Sequence, residues 1–183
     1  MLYKQFLSLL FILPPLLFSS CDENIKITLD TDKEPELPPI TMEGKQTFGC
    51  LLNGEVWRHT PRAFARNLSG DYSPFWKTFN LRGKRTNPKD QGDIESSIRF
   101  SATIDTLGIY DFNYISYYDQ SFPEFGFITE ESLIENETHF LEIIHLDLEN
   151  FIISGLFQFS LLDTLTGDTL RFTEGRFDYK WAY

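Results

Sequence analysis

The stretch Phe151-Ile-Ile-Ser-Gly-Leu-Phe-Gln-Phe-Ser-Leu-Leu162 decides the fold class. Phe151, Ile153, Gly155, Phe157, Phe159 and Leu161 occupy alternate positions, and a period of two is the signature of a β-strand with one face buried. Working outward, Phe140, Ile144, Leu146 and Leu148 read as one face of the preceding strand, with Asn150 turning the chain. Asp163 to Asp168 reads as a hairpin connection, after which Leu170 and Phe172 share a face. The phase then changes at Glu174-Gly175 to Phe177, Tyr179 and Trp181, as expected of a β-bulge.

The same period recurs upstream. Phe48, Cys50 and Leu52 alternate and lead into Asn53-Gly54, a strong two-residue hairpin signal because both residues tolerate positive φ. That register places Leu52 opposite Glu55 and Cys50 under Trp57. Pro61 to Tyr72 reads as a loop with a short helical turn at 63–67, and Phe75, Phe79 and Leu81 as a strand. Arg82 to Gly92 has the composition of a loop. Ile98, Phe100, Ala102 and Ile104 alternate with Ser97, Arg99, Ser101 and Thr103 in a one-sided strand. Tyr110, Phe112 and Tyr114 suggest another strand, residues 122–129 a short one, and Glu130 to Glu137 a polar turn. There is no long amphipathic helix and no repeat of fixed period. The pattern predicts an all-β, antiparallel sandwich or barrel-like domain of about eight strands.

The beginning of the chain is different. Lys4 precedes an apolar run from Phe6 to Phe18, and Ser19-Ser20-Cys21 follows. A positive start, a short apolar core and small residues before a cut are the parts of a secretory signal. The run is too short for a spanning helix, and Pro14-Pro15 interrupts it. Leu17-Phe-Ser-Ser-Cys21 resembles a lipobox, with Phe18 departing from the usual pattern, and this implies lipidation on Cys21. Residues 22–46 are acidic, proline-bearing and aperiodic, as in a disordered tether. The expected organisation is a signal peptide over 1–20, a lipidated tether over 21–46 and a β domain over 47–183. Asp22-Glu23 resembles acidic signals that direct some Bacteroidota lipoproteins to the cell surface.

The net charge of −11 argues against nucleic-acid binding, which needs clustered positive charge. With Cys21 taken by lipid, Cys50 is left alone, so neither an intramolecular disulfide nor a cysteine metal site is expected. His139 and His145 sit some 20 Å apart along an extended strand, too far to share a metal ion. Asp163 and Asp168 bracket a turn that lacks the regular oxygen spacing of a calcium loop. No nucleophile elbow, zinc helix, P-loop or dinucleotide fingerprint occurs, so no cofactor is expected.

Three groups of residues stand out as candidates. Arg82, Lys84, Arg85 and Lys89 form a basic group suited to a phosphate or an acidic glycan. Tyr110, Tyr114, Tyr117 and Tyr118 include both strand parities, so some rings must point outward, where flat rings suit sugar stacking or a protein contact. Asp-Thr-Leu occurs three times, at Thr106, Thr164 and Thr169, and looks like a short O-glycosylation motif of exported Bacteroidota proteins.

The blocks Thr47–Trp57, Ile152–Phe159 and Asp168–Asp178 resemble the opening and closing parts of a group of small Bacteroidota lipoproteins with no assigned activity. The resemblance leaves the middle of the domain unmatched and transfers no functional residue; it implies an all-β fold and an envelope location. The expected function is a non-enzymatic, lipid-anchored domain of the envelope or cell surface. It would sit in the outer membrane and bind a glycan or an envelope protein. The alternatives are an envelope glycan hydrolase with paired carboxylates and a purely structural envelope component.

Overall fold

The computed structural model describes residues 36–61, 67–86, 93–121, 127–129, 132–163 and 166–181. They form eleven strands: β1 (Thr47–Leu52), β2 (Glu55–Arg58), β3 (Leu68–Ser73), β4 (Thr78–Thr86), β5 (Ile94–Thr103), β6 (Gly108–Tyr110), β7 (Tyr114–Asp119), β8 (Phe127–Thr129), β9 (Phe140–Asp147), β10 (Ile152–Leu162) and β11 (Thr169–Lys180). One sheet has the order β2-β1-β11-β10-β9-β6 and the other β3-β4-β5-β7-β8. Every strand pairing among the described residues is antiparallel, and both sheets are open, which sets the barrel alternative aside.

The core lies between the sheets and is made largely of phenylalanine. Phe100 of β5 packs against Phe48, Phe157 and Phe177 of the opposite sheet, with ring centroids 6.0, 5.2 and 5.9 Å apart. Phe79 stacks on Phe177, and Tyr117 meets Phe172 edge-on. Such rings bury large areas and prefer offset or edge-to-face contacts, so they link two sheets without a disulfide.

Several expectations hold. Asn53 and Gly54 turn with φ of 52° and 88°, Leu52 pairs with Glu55, and Cys50 pairs with Trp57. Cys50 is fully buried, and burial pushes its thiol well above the ordinary range, so it is an inert core residue. Along β10, Ile153, Gly155, Phe157, Phe159 and Leu161 are buried, whereas Phe151, the first of the expected set, lies half-buried in the turn before the strand. The bulge falls where the phase change predicted it: Glu174 has φ 50°, and the register of β11 shifts against both neighbours.

Other expectations need correction. In β9 the core face is Leu141 and Ile143, not the set of Phe140 and Ile144, and Leu148 is exposed. The reason is a second bulge: Ile144 has no partner between the Ile143–Gly155 and His145–Ser154 pairs, so the alternation flips there. Tyr110 and Tyr114 do not share a strand, because β6 joins the first sheet and β7 the second. Phe112 fills the crossing between them, against Phe100 and Phe159. Phe75 lies in a turn and not in a strand, and Leu68–Ser73 is a strand and not a loop. β4 continues through Thr86, into the segment read as a loop. Gly83 belongs in that strand because the Phe48 ring fills the space of its missing side chain, 2.6 Å from an ideal Cβ. The proposed turn at 63–67 lies largely outside the described residues.

The domain also begins earlier than Thr47. Residues 36–46 form a strap over the outer face of the first sheet, and its anchor is Asp178. That carboxylate accepts hydrogen bonds from Thr41 Oγ1 (2.6 Å), the backbone amides of Glu43, Gly44 and Lys45, and Ser154 Oγ (2.8 Å). Burial pushes the Asp178 carboxyl up, but the hydrogen bonds outweigh it and hold it below the ordinary carboxylate range. Pro38 packs on Gly49, where any side chain would collide. Composition could not reveal this, because the strap buries little apolar surface and is held by distant acceptors, Asp178 and Lys180 O, the latter bonded by Gln46 Nε2 at 2.6 Å.

Candidate ligand-binding face

The outer face of the second sheet follows from strict alternation. Leu81, Ile98, Phe100, Ile115 and Tyr117 are drawn into the core, so the residues between them point outward. The ladder pairs Ser69, Arg82, Arg99 and Ser116 across β3, β4, β5 and β7. A parallel row carries Lys84, Ser97 and Tyr118, and another carries Asp71, Asn80, Ser101 and Tyr114. Ser97 and Ser116 are buried beneath their larger neighbours, so long basic and aromatic side chains stand over a floor of small ones.

Arg82 donates to Ser97 Oγ at 3.3 Å. The Arg99 guanidinium lies over the Tyr114 ring, 5.6 Å from its centroid. Burial and the facing Arg99 lower the affinity of Arg82 for its proton, and burial and Arg82 do the same for Lys84. Among the described residues, no ion pair joins Arg82, Lys84 or Arg99 to a carboxylate. Like charges placed directly opposite in a sheet are mutually destabilising. A cross-strand arginine pair with no counter-charge among the described residues, in a chain of net charge −11, is therefore an anomaly that stability does not explain.

Only part of the basic and aromatic groups read from the sequence assembles here. Arg82 and Lys84 do, with Tyr114 and Tyr118. Arg85 does not: it has the parity of Leu81 and Gly83, so it points to the inner side of β4, where its side chain reaches Val56 O (3.1 Å) and the Trp57 ring (5.9 Å). Tyr117 is a core residue, buried with its hydroxyl donating to Asp119 at 2.8 Å. Burial is the main reason its phenol is held well above the ordinary range. Arg99 is the member that the basic group omitted. Its signal was present, because it alternates with Ile98 and Phe100 and so had to face outward. Lys89, Thr164 and Cys21 lie outside the described residues. Of the remaining Asp-Thr-Leu positions, Thr106 is exposed on a loop with its hydroxyl near Leu107 O and Tyr110 Oη, and Thr169 is half-buried at the start of β11.

The other ionisable groups serve the fold. His59 is buried, contacts Phe48 O through Nδ1, and is shifted down mainly by desolvation. His139 accepts the Ser160 amide on Nδ1 and lies with Nε2 2.8 Å from Ile134 O, so both ring nitrogens are taken up by the backbone. Asp163 closes its hairpin by accepting from Thr166 Oγ1, and Asp119 accepts from Tyr117 and Ser121. Among the described residues, no cluster of three or more His, Cys, Asp or Glu side chains is placed to hold a metal ion. Compared with known protein families, with curated proteins and with solved structures, the chain matches none.

Proposed function

We propose that this chain is a lipid-anchored, non-enzymatic binding domain of a bacterial envelope, held through Cys21 and facing outward from the outer membrane. Its binding face is the outer surface of β4, β5 and β7, and its ligand is an acidic glycan. The observation that carries the reading is the Arg82–Arg99 pair, two facing cations with no carboxylate partner among the described residues. A carboxylated or sulfated sugar supplies the missing charge to both, and each charge-assisted hydrogen bond contributes about 1.5–3 kcal/mol. Tyr114 and Tyr118 offer rings beside the cations for sugar contact. The face is an open surface across three strands, which suits a polymer more than a small molecule. No cofactor is required, and the acidic chain disfavours nucleic acid.

Two measurements test this reading. Labelled palmitate should enter the wild type and not a Cys21→Ser variant, and that variant should leave the membrane fraction. On a glycan array, acidic glycans should be retained over neutral ones, with binding that weakens as salt rises and is lost in Arg82→Ser/Arg99→Ser. Retention of neutral glycans by both proteins alike would refute the acidic-ligand reading. Capture of an acidic envelope protein with no glycan retained would replace the ligand class.

A further inference from the structure

The two most exposed large apolar side chains among the described residues are neighbours: Phe75, 80 % exposed, and Trp76, 73 % exposed. They form the tip of the β3–β4 turn, and the turn is held firmly. Ser73 Oγ accepts from the Trp76 amide, Thr78 Oγ1 donates to Trp76 O, and the Ile104 amide donates to Lys77 O at 2.7 Å. Lys77 pairs with Asp105 at 2.9 Å. Two large rings are thus presented to solvent on a braced backbone, and such exposure in a folded protein marks a contact surface.

The tip does not stand alone. Tyr72, just before the turn, packs on Trp181 at 5.5 Å, and the Trp181 amide bonds Phe151 O in the β9–β10 turn. Gly44 of the strap lies against Lys180 and Ile152. These contacts put the β3–β4 turn, the β5–β6 loop, the β9–β10 turn and the strap bend at one end of the sandwich. Leu107, Leu148 and Met42 are exposed on the last three of these segments; of the other exposed large apolar side chains, Ile40 lies on the strap, Ile109 (71 %) on the edge strand β6 opposite Glu142, and Leu162 at the opposite end.

We infer that this end docks on the surface of the lipid bilayer, with Phe75 and Trp76 inserted at the headgroup level. The inference rests on the lipid-anchor reading of Cys21. Fourteen residues separate Cys21 from Glu36, where the described chain begins, and the fifteen steps between the two can span at most about 50 Å. β11, at twelve residues, is about 40 Å long. The tether is therefore long enough for any part of the domain to touch the membrane, and the uneven apolar exposure selects this end. Anchoring keeps the bilayer at high effective concentration, so two rings are sufficient to bias the orientation. Trp and aromatic residues favour the membrane interface. The rings meet at 90°, so they form no flat platform for stacking on a sugar, and a protruding turn suits a deformable phase.

The test uses the full, lipidated chain in phosphatidylethanolamine–phosphatidylglycerol vesicles, with and without brominated acyl chains. Trp57 and Trp181 are buried and give a background that Trp76→Phe isolates. The Trp76 emission, taken as wild type minus Trp76→Phe, should shift to the blue on vesicles and be largely lost with brominated lipid. A Phe75→Asp variant should still float with vesicles but keep most of its Trp76 emission. Flotation with Trp76 unquenched by bromine and open to aqueous acrylamide would overturn this inference and leave the anchor standing. Failure to float would overturn both. Shielding of Trp76 from acrylamide as protein concentration rises without vesicles would mean that a second copy covers the tip, and would also overturn it.

Discussion

Asp178 and Thr41 are joined by a 2.6 Å hydrogen bond across 137 positions of sequence, and this contact makes the strap part of the fold. The same carboxylate takes three strap amides and Ser154, so one buried charge is satisfied by donors from both ends of the domain. Asp178→Asn keeps the shape but turns an amide donor toward some of those donors. It should lower stability by about 3 kcal/mol in urea unfolding and strip hydrogen-exchange protection from the amides of 43–45. An unchanged midpoint would mean that the strap contacts are incidental.

Acid should unfold the domain in two stages. Asp178 and Asp119 are both held below the ordinary carboxylate range despite burial, so their contribution is present above the unfolded value of about 3.9 and lost as pH falls through the lower folded values. His59 is also shifted down, because burial disfavours its charged form. Its unfolded form therefore binds a proton first, and stability begins to fall as pH drops below about 6.5. Melting temperature followed from pH 8 to pH 2 should decline gently and then steeply, and His59→Gln should remove the first decline. A flat profile down to pH 3 would contradict both assignments.

Gly155 should not accept a side chain. An ideal Cβ there would lie 2.4 Å from Glu142 O and 2.7 Å from the Phe177 ring, and neither backbone nor a packed ring yields easily. Gly155→Ala should cost about 1–3 kcal/mol, read as a shift of the denaturation midpoint at constant slope. Tolerance without any shift would mean that β9 and β10 separate more readily than their ladder suggests.

Binding and stability should separate on the outer face. Arg99→Ser removes a charge facing Arg82, so it should leave stability unchanged or raise it by about 0.2–1 kcal/mol while abolishing retention of acidic glycans. Phe100→Ala, one position along on the core side, should cost about 3–5 kcal/mol. A large stability loss in Arg99→Ser would make that arginine structural and remove the argument for a ligand.

The chain's local chemistry was enough for much of this. Alternation along β1, β5 and β10, the Asn53-Gly54 turn and the Glu174-Gly175 phase change all act within a few residues, and each is legible because a strand's two faces follow parity. The Cys50–Trp57 pairing follows from the turn alone. Much of the candidate face is legible in the same way: Arg82, Lys84, Tyr114 and Tyr118 belong to the basic and aromatic groups of the sequence, and parity points Arg99 outward beside them.

Tertiary structure decided the rest. The Ile144 bulge moved the core face of β9, because pairing with β10, not local pattern, sets where the register slips. The crossing at Phe112 sent β6 and β7 to different sheets, since a three-residue strand is stabilised only by the neighbour it meets. Arg85 and Tyr117 already fall on the inner parity of their strands, beside Leu81 and Ile115, and the tertiary structure decided only what they meet there: Val56 and Trp57 for Arg85, Phe172 for Tyr117. Asp178 looks from the sequence like one more acidic residue on an exposed strand position. Only the folded chain brings Thr41 and the strap amides to it, because a hydrogen-bonded carboxylate has no period and leaves no mark on composition.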